Sequence, residues 1–281
     1  MIVRTMENLA RRGLDVIRAR PGAREVQDSA DHLRGGNHLY LWQWAFLERK
    51  IGHRAYVKRS TSMSEWTQEF ALLDALTIDP GDIRRFDARS FGTRFTFDLD
   101  FTRDQNDAFC RAMVASSDGF RERLERTKDL MDEDTCVINV RRGDYYSVDA
   151  FARRFGIDIP HHIDEALAHL EAMGRPTEDL LIVSDDVDWC RRELAGVVAG
   201  RMRVNPARVS MFDDLAVLAS ARTLVLANST FSYWGSYIAR SRIPDHLAIA
   251  PSHHELLADG TAIAPMNDPL WPRTSYRRWH P

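Results

Sequence analysis

Two adjacent arginines, Arg141 and Arg142, end a short apolar run, Cys136 to Val140, and lead into Gly143 and Asp144. An apolar run without alternation is the mark of a strand buried on both faces. In open parallel sheets, ligands bind beyond the carboxyl ends of such strands. Two neighbouring guanidiniums repel each other unless an anion is near, and their forked donors match a phosphate or a carboxylate. The pair therefore reads as anion-facing, against the plainer alternative of a solvated turn. Arg142-Gly143-Asp144 also spells a cell-adhesion tripeptide, a chance match with nothing extracellular beside it.

Two further polar sets follow apolar runs in the same way. Ser184-Asp185-Asp186 comes after the run beginning at Leu180, and Asn228-Ser229-Thr230 after Leu224 to Ala227. Each stands just before a helix-like segment. Backbone N–H groups at a helix N-terminus, helped by the Ser229 and Thr230 hydroxyls, make a phosphate site. The alternative for each set is simple helix capping. If the three strands share one parallel sheet, all three sets lie on one rim, and independent caps have no reason to share a rim with an arginine pair. Arginine plus a helix end suggests a pyrophosphate.

The elements that must position these residues alternate regularly in the second half of the chain. Strands are expected over Cys136 to Val140, Leu180 to Ser184, Arg201 to Val204, Leu224 to Ala227 and Leu247 to Ala250. Helices are expected over Ile163 to Met173, Val187 to Leu194, Asp214 to Ala221 and Thr230 to Arg240. Five strands alternating with four helices predict a doubly wound parallel sheet. Pro251 to Pro281, with five prolines and with Trp271 and Trp279, reads as an extended tail over the surface.

The first half is less regular. Met1 to Arg20 is basic and amphipathic and reads as a helix docked on the protein's own core. Arg20-Pro21-Gly22 breaks that pattern, and a polar stretch leads to Gly35-Gly36-Asn37, a glycine turn opening a helix over Leu39 to Lys50. Ala55-Tyr56-Val57 is the next strand, in a βαβ frame. A helix is expected over Ser64 to Ile78, an alternating half-buried strand over Phe95 to Phe101, and one long polar helix over Asp104 to Met131. That helix and the acidic Asp132-Glu133-Asp134 predict a domain boundary, with residues 1–132 as an α/β domain and 133–281 as a Rossmann-like, nucleotide-binding-type domain.

Composition narrows the function classes. A net charge of -3 lacks the basic field of a general nucleic-acid binder. Cys110, Cys136 and Cys190 are odd in number and widely spaced, which suits small core residues in a reducing, cytoplasmic compartment better than a disulfide frame. His161-His162 and His253-His254 are immediate neighbours, a spacing that rarely makes a metal-ligand pair, so no metal is expected. Without an apolar run of membrane-spanning length, contact with a membrane is expected to be peripheral at most.

The motifs resemble those of the bacterial α-1,2-fucosyltransferases: a His-x-Arg-Arg-Gly-Asp-Tyr, a Ser-Asp-Asp before a helix, and an Ala-Asn-Ser-Thr-Phe-Ser-Trp-Trp-Gly. Here they stand as Asn139-Val140-Arg141-Arg142-Gly143-Asp144-Tyr145, Ser184-Asp185-Asp186 and Ala227-Asn228-Ser229-Thr230-Phe231-Ser232-Tyr233-Trp234-Gly235. Gly35-Gly36-Asn37 with Trp42-Gln43-Trp44-Ala45-Phe46 is similar to the family's Gly-Asn-Gln-x-Phe-Gln-Tyr-Ala, with two extra residues between Asn37 and Trp42. The resemblance covers roughly residues 35 to 60 and 136 to 250. It implies a GT-B fold, two Rossmann-type domains facing a cleft, and an inverting, metal-independent transfer from GDP-fucose to a glycan acceptor, without a cofactor. It also implies donor contacts at Gly36, Asn37, Asn139, Arg141, Arg142, Ser184, Asp185, Asp186, Asp214, Asn228, Ser229 and Thr230, with Arg141 on the pyrophosphate, Ser229 and Thr230 at its β end and Asp214 on guanine.

Asn139 replaces the motif histidine, which alters a donor contact or leaves a non-catalytic nucleotide or glycan binder as an alternative. A fucosyltransferase of other linkage, or one using another GDP-sugar, is a second alternative. The related enzymes begin with a strand before their glycine turn, where this chain shows about thirty residues of helical and polar sequence. For the base that deprotonates the acceptor, the nearest carboxylates to the arginines are Asp144 and Asp149. Asp144, next to the turn, is expected to be held by a guanidinium, which makes a poor base. Asp149 is expected on a loop, eight residues after Arg141, a spacing that resembles the acidic base of α-1,6-fucosyltransferases; the alternative is that it merely opens the next turn.

Overall fold

The structure is a computed structural model that describes residues 22–30, 33–198 and 200–277. The amphipathic segment Met1 to Arg20 and Trp279 lie outside the described residues. The chain divides into two compact units between Ser117 and Asp118, earlier than the 132/133 boundary read from the sequence.

The first unit is built on β1 (Arg24–Gln27), α1 (Gly36–Lys50), β2 (Arg54–Lys58), α2 (Ser64–Glu69), α3 (Ala71–Ala75), β3 (Thr77–Ile78), β4 (Ala88–Ser90) and α4 (Arg103–Ala115). Its four strands are parallel in the order β3-β2-β1-β4. The strand β1 falls in the stretch expected as polar coil, and its polarity is answered by its neighbour. Arg24 donates to both Asp87 oxygens at 3.0 and 2.6 Å, while the buried Gln27 amide donates to the Gly92 carbonyl at 3.2 Å and accepts from the Ser90 hydroxyl at 3.1 Å. A strand therefore does precede the glycine turn. After it, Leu39, Tyr40, Leu41 and Trp42 are all fully buried, so α1 is covered on more than one side, as befits a helix between a sheet and further helices.

Three expectations for this unit fail for identifiable reasons. The helix over Ser64 to Ile78 breaks at Phe70, whose backbone is extended and whose ring is buried against Trp66 with 6.1 Å between centroids. The alternating stretch Phe95 to Phe101 is a tight loop, with Asp98 at φ 61° and its N–H donating to the Phe101 carbonyl at 2.9 Å. Phe97 and Phe101 bury their rings together at 5.1 Å while Leu99 points out, so the alternation served a loop's own core. The long helix is two, α4 and α5 (Asp118–Arg126), interrupted at Ser116 and Ser117, whose hydroxyls donate to Met113 and Glu69.

The second unit continues with β5 (Cys136–Val140), α6 (Gly143–Ser147), α7 (Asp149–Phe155), α8 (Ile159–Ala172), β6 (Leu180–Ser184), α9 (Val187–Glu193), α10 (Ala195–Val198), β7 (Met202–Val204), α11 (Met211–Ser220), β8 (Thr223–Val225), α12 (Thr230–Arg240) and β9 (Leu247–Ile249). A hairpin of β10 (Glu255–Leu256) and β11 (Ala262–Ile263) follows. The five main strands are all parallel in the order β7-β6-β5-β8-β9. This is the doubly wound sheet expected from the alternation, and α5 packs on its α11, where Arg123 meets Asp213 at 3.2 Å. The stretch from Pro251, expected as an extended tail, first forms the β10–β11 hairpin, and its later described part runs back along the end of β9 as a strap. Ala250 N–H donates to the Pro272 carbonyl and Thr274 N–H to the Ala250 carbonyl; the buried His162 lies 2.8 Å from the Thr274 hydroxyl. All three cysteines are free and buried. Among the described residues, no helix is long and apolar enough to cross a membrane.

The helices α11 and α12 approach closely at Gly235, where an added Cβ would lie 2.4 Å from the Leu218 Cβ. We expect Gly235→Ala to cost about 1–3 kcal/mol of stability, read by denaturant melts. Leu218→Ala should not rescue it, since alanine keeps the offending Cβ. A wild-type midpoint for Gly235→Ala would contradict this packing.

Candidate active site

The order of the second sheet creates one place where neighbouring strands are followed by helices on opposite faces, between β5 and β8. That switch point is where crevices open in doubly wound sheets. The residues after β5, β6 and β8 share this carboxyl-end rim, because β5 pairs in register with β6 through Val140 and Ser184 and with β8 through Ile138 and Val225.

The two arginines divide. Arg141 is 41% exposed, with Nη1 2.7 Å from the Asp185 carboxylate and Nη2 donating to Asp144 at 3.1 Å. Arg142 turns inward. Its guanidinium sits 4.3 Å from the Trp189 ring centre and 4.9 Å from that of Tyr146, and its Nε is buried without a hydrogen bond, with Asp186 at 3.5 Å. Two aromatic faces hold a guanidinium by cation–π attraction, so of the pair, Arg141 is the more exposed at the rim. Gly143 makes the turn possible: it has φ 28°, and a Cβ there would come within 2.9 Å of both the Arg141 guanidinium and the Asp185 carboxylate.

In the Ser184-Asp185-Asp186 set, capping and site-building separate by residue. Asp186 is the cap of α9, accepting from Trp189 N–H at 3.0 Å, and the Ser184 hydroxyl accepts from Asp186 N–H at 3.0 Å. Asp185 is left to reach across to the end of β5, accepting from Arg142 N–H at 2.8 Å as well as facing Arg141. Asn139 lies in the sheet, buried, and donates its amide to the Val183 carbonyl at 2.8 Å.

At the end of β8 the Ser229 side chain caps α12 by accepting from Phe231 N–H, and Thr230 opens the helix; both are almost fully buried. Asn228 is a hub. Its Nδ2 donates to the carbonyls of Phe155 at 2.7 Å and His254 at 2.9 Å, while its Oδ1 accepts from the Tyr233 hydroxyl at 2.9 Å and has His254 Nδ1 at 3.1 Å. With both N–H groups engaged, Asn228 ties the end of α7 and the segment before β10 to α12. Burial pushes the His254 imidazole down to about 4, so it is neutral at ordinary pH.

Asp149 is exposed and opens α7, where a loop was expected. The two short helices after Gly143 escaped the sequence reading because each is under two turns and they meet at extended Val148. Their aromatic residues secure them: Tyr145 stacks on Phe155 at 5.1 Å, and the Tyr146 hydroxyl donates to the Ile157 carbonyl. Asp214 sits in the first turn of α11, where burial raises its carboxyl above the usual range and Arg208, donating at 2.7 Å, opposes that.

Gly36 and Asn37 belong to the first unit, where they open α1 after Gly35 at φ 33°. Beside them lies the buried His38, whose ring nitrogens lie 3.1 Å from the Ser29 hydroxyl and 2.9 Å from that of Ser62. Burial holds this histidine down at about 4.

A family model described as glycosyl transferase family 11 matches residues 64–254 of the 281. Two curated relatives from Escherichia coli are similar over shorter stretches. The O-antigen biosynthesis glycosyltransferase WbnK is 22% identical over 121 residues, 42% of this chain and 38% of that protein. An alpha-1,2-colitosyltransferase is 26% identical over 123 residues, 40% of each chain. The matched region thus spans about two fifths of these relatives' length. Among solved structures, POFUT1 in complex with GDP has a TM-score of 0.50 at 10% identity, covering 82% of this chain and 98% of that one, a likeness of fold. The GT-B-like α/β architecture and the long family match agree with the motif resemblance to bacterial α-1,2-fucosyltransferases: the chain belongs to glycosyl transferase family 11.

Proposed function

We propose that this glycosyltransferase moves fucose from GDP-fucose to a sugar hydroxyl with inversion, forming an α-1,2 linkage to galactose of a surface glycan, in the cytoplasm and without metal or cofactor. The observation that carries the reading is Arg141, the one exposed guanidinium of the pair, at the sheet's switch point with the N-terminus of α12 on the adjoining strand end. A diphosphate there meets forked donors and a helix terminus together. In the reaction, the acceptor oxygen attacks the fucose anomeric carbon as that carbon's bond to the β-phosphate oxygen breaks. The acceptor proton passes to Asp149, and GDP departs with the bonding electron pair. Charge building on the leaving oxygen is what Arg141 and the helix end stabilise, the part a metal plays elsewhere. The relatives' names, one an α-1,2-transferase and one an O-antigen enzyme, support the linkage and the acceptor class. The colitosyl name also favours a second reading, a GDP-sugar other than fucose, which a panel of GDP-sugars in the transfer assay separates from the first.

Asp214 is the proposed guanine reader, since a carboxylate accepts from two adjacent guanine N–H groups and uracil offers no such pair. GDP at about 100 times its dissociation constant should stabilise the protein by roughly 2.7 kcal/mol, seen as a raised Tm, and UDP should not. Equal shifts from the two nucleotides would remove the guanine assignment.

Arg141→Lys keeps the charge and loses the fork, so turnover of GDP-fucose should fall by about 10²- to 10³-fold. The assay is run with chelator present throughout. Wild-type turnover in the variant would move the diphosphate elsewhere, and an absolute need for added Mg²⁺ would overturn the metal-free mechanism.

Asp144 already faces Arg141, while Asp149 stands exposed at the start of α7. Asp149→Asn is expected to keep GDP affinity and to lose transfer by about 10²-fold or more, the usual worth of a general base. Transfer at a comparable rate would place the base elsewhere.

A further inference from the structure

Asp185 is the residue of the rim that local structure does not explain. The start of α9 is served by Ser184 and Asp186, yet Asp185 is directed at the adjoining strand end. There one oxygen accepts from Arg142 N–H at 2.8 Å and the other faces Arg141 Nη1 at 2.7 Å. The opposite side of the same guanidinium donates to Asp144 at 3.1 Å. Gly143 closes over this group so tightly that a Cβ would fall 2.9 Å from both Arg141 and Asp185. The guanidinium is thus aimed by a carboxylate pair, at a point where the diphosphate proposed above would require the same N–H groups.

We propose that Asp185 is a positioning residue that acts by anion exchange: it aims the Arg141 fork, competes with the diphosphate for that fork, and takes it back as the nucleoside diphosphate product leaves. The inference rests on the reading of this rim as a diphosphate site. A carboxylate this close to the bound phosphates repels them, which lowers the affinity for donor and product alike. Since the product has no sugar to hold it, the same repulsion speeds release. Asp185 is the stronger competitor of the two acids, with the shorter contact and a side chain 26% exposed against 52% for Asp144, and exposure screens a charge.

The test uses inorganic pyrophosphate as the probe, titrated calorimetrically into the full-length protein at low and moderate salt. Asp185→Asn keeps the size and an oxygen to accept from Arg142 N–H but removes the charge. Its pyrophosphate affinity should rise about tenfold at low salt and less at moderate salt, as expected for loss of one nearby like charge. Asp144→Asn should tighten binding by a smaller factor and stands as the test if the first variant does not fold. In turnover of GDP-fucose, kcat and KM of Asp185→Asn should fall together, with release limiting. A merely architectural role predicts the opposite, weaker pyrophosphate binding. Unchanged or weakened binding in the folded variants overturns the exchange. If wild-type protein binds GDP and the variants show no tightening, the exchange fails and the donor reading stands. If pyrophosphate tightens but GDP-fucose is never turned over, the donor reading fails and the exchange stands.

Discussion

The parallel pairing of β5 with β6 on one side and β8 on the other is the constraint on which the site depends. It sets three strand ends side by side, and with them an arginine turn, an acidic turn and a helix N-terminus that are far apart in sequence. Parallel pairing requires a crossover between paired strands, which is why α8 lies between β5 and β6 and α12 between β8 and β9. The central strand holds its place through continuous burial, Cys136 to Val140 being shielded on both faces, and even its one polar side chain, Asn139, is satisfied within the sheet by the Val183 carbonyl.

On that frame the two arginines take different work, and the reason is the surroundings of each. Arg142 is covered by Trp189 from α9 and Tyr146 from α6, so its charge helps seat those two helices against the sheet. Arg141, just past the end of β5, keeps its fork at the surface between two carboxylates.

Buried polar hubs hold the surrounding loops. Asn228 clamps the end of α7 and the segment before β10 through its two N–H groups, and His162 anchors the terminal strap while its other ring nitrogen lies 2.8 Å from the Leu226 carbonyl. Such groups are costly to bury unless fully bonded, and once bonded they allow one arrangement of the chain. The helix that presents Asp149 is therefore fastened to the motif that caps α12, so candidate base and candidate phosphate site are parts of one network within the second unit.

The sequence by itself determined the doubly wound sheet, its alternation of strands and helices, and the rim shared by the turns after β5, β6 and β8, because continuous apolar runs and helical periodicity are local signals that survive in one dimension. It also carried the family motifs. What only the tertiary structure decided were the matters settled by a partner distant in the chain. Arg24 to Gln27 is a strand because Asp87 and Ser90 answer its polar groups. Phe95 to Phe101 is a loop because Phe97 and Phe101 find each other. Arg142 is structural because Trp189 lies over it, Asn228 is a framework residue because Phe155 and His254 surround it, and Asp185 is free of capping because Asp186 caps in its place. In each case a side chain has two chemically acceptable uses, and the choice between them rests on which groups the fold brings within a few ångströms.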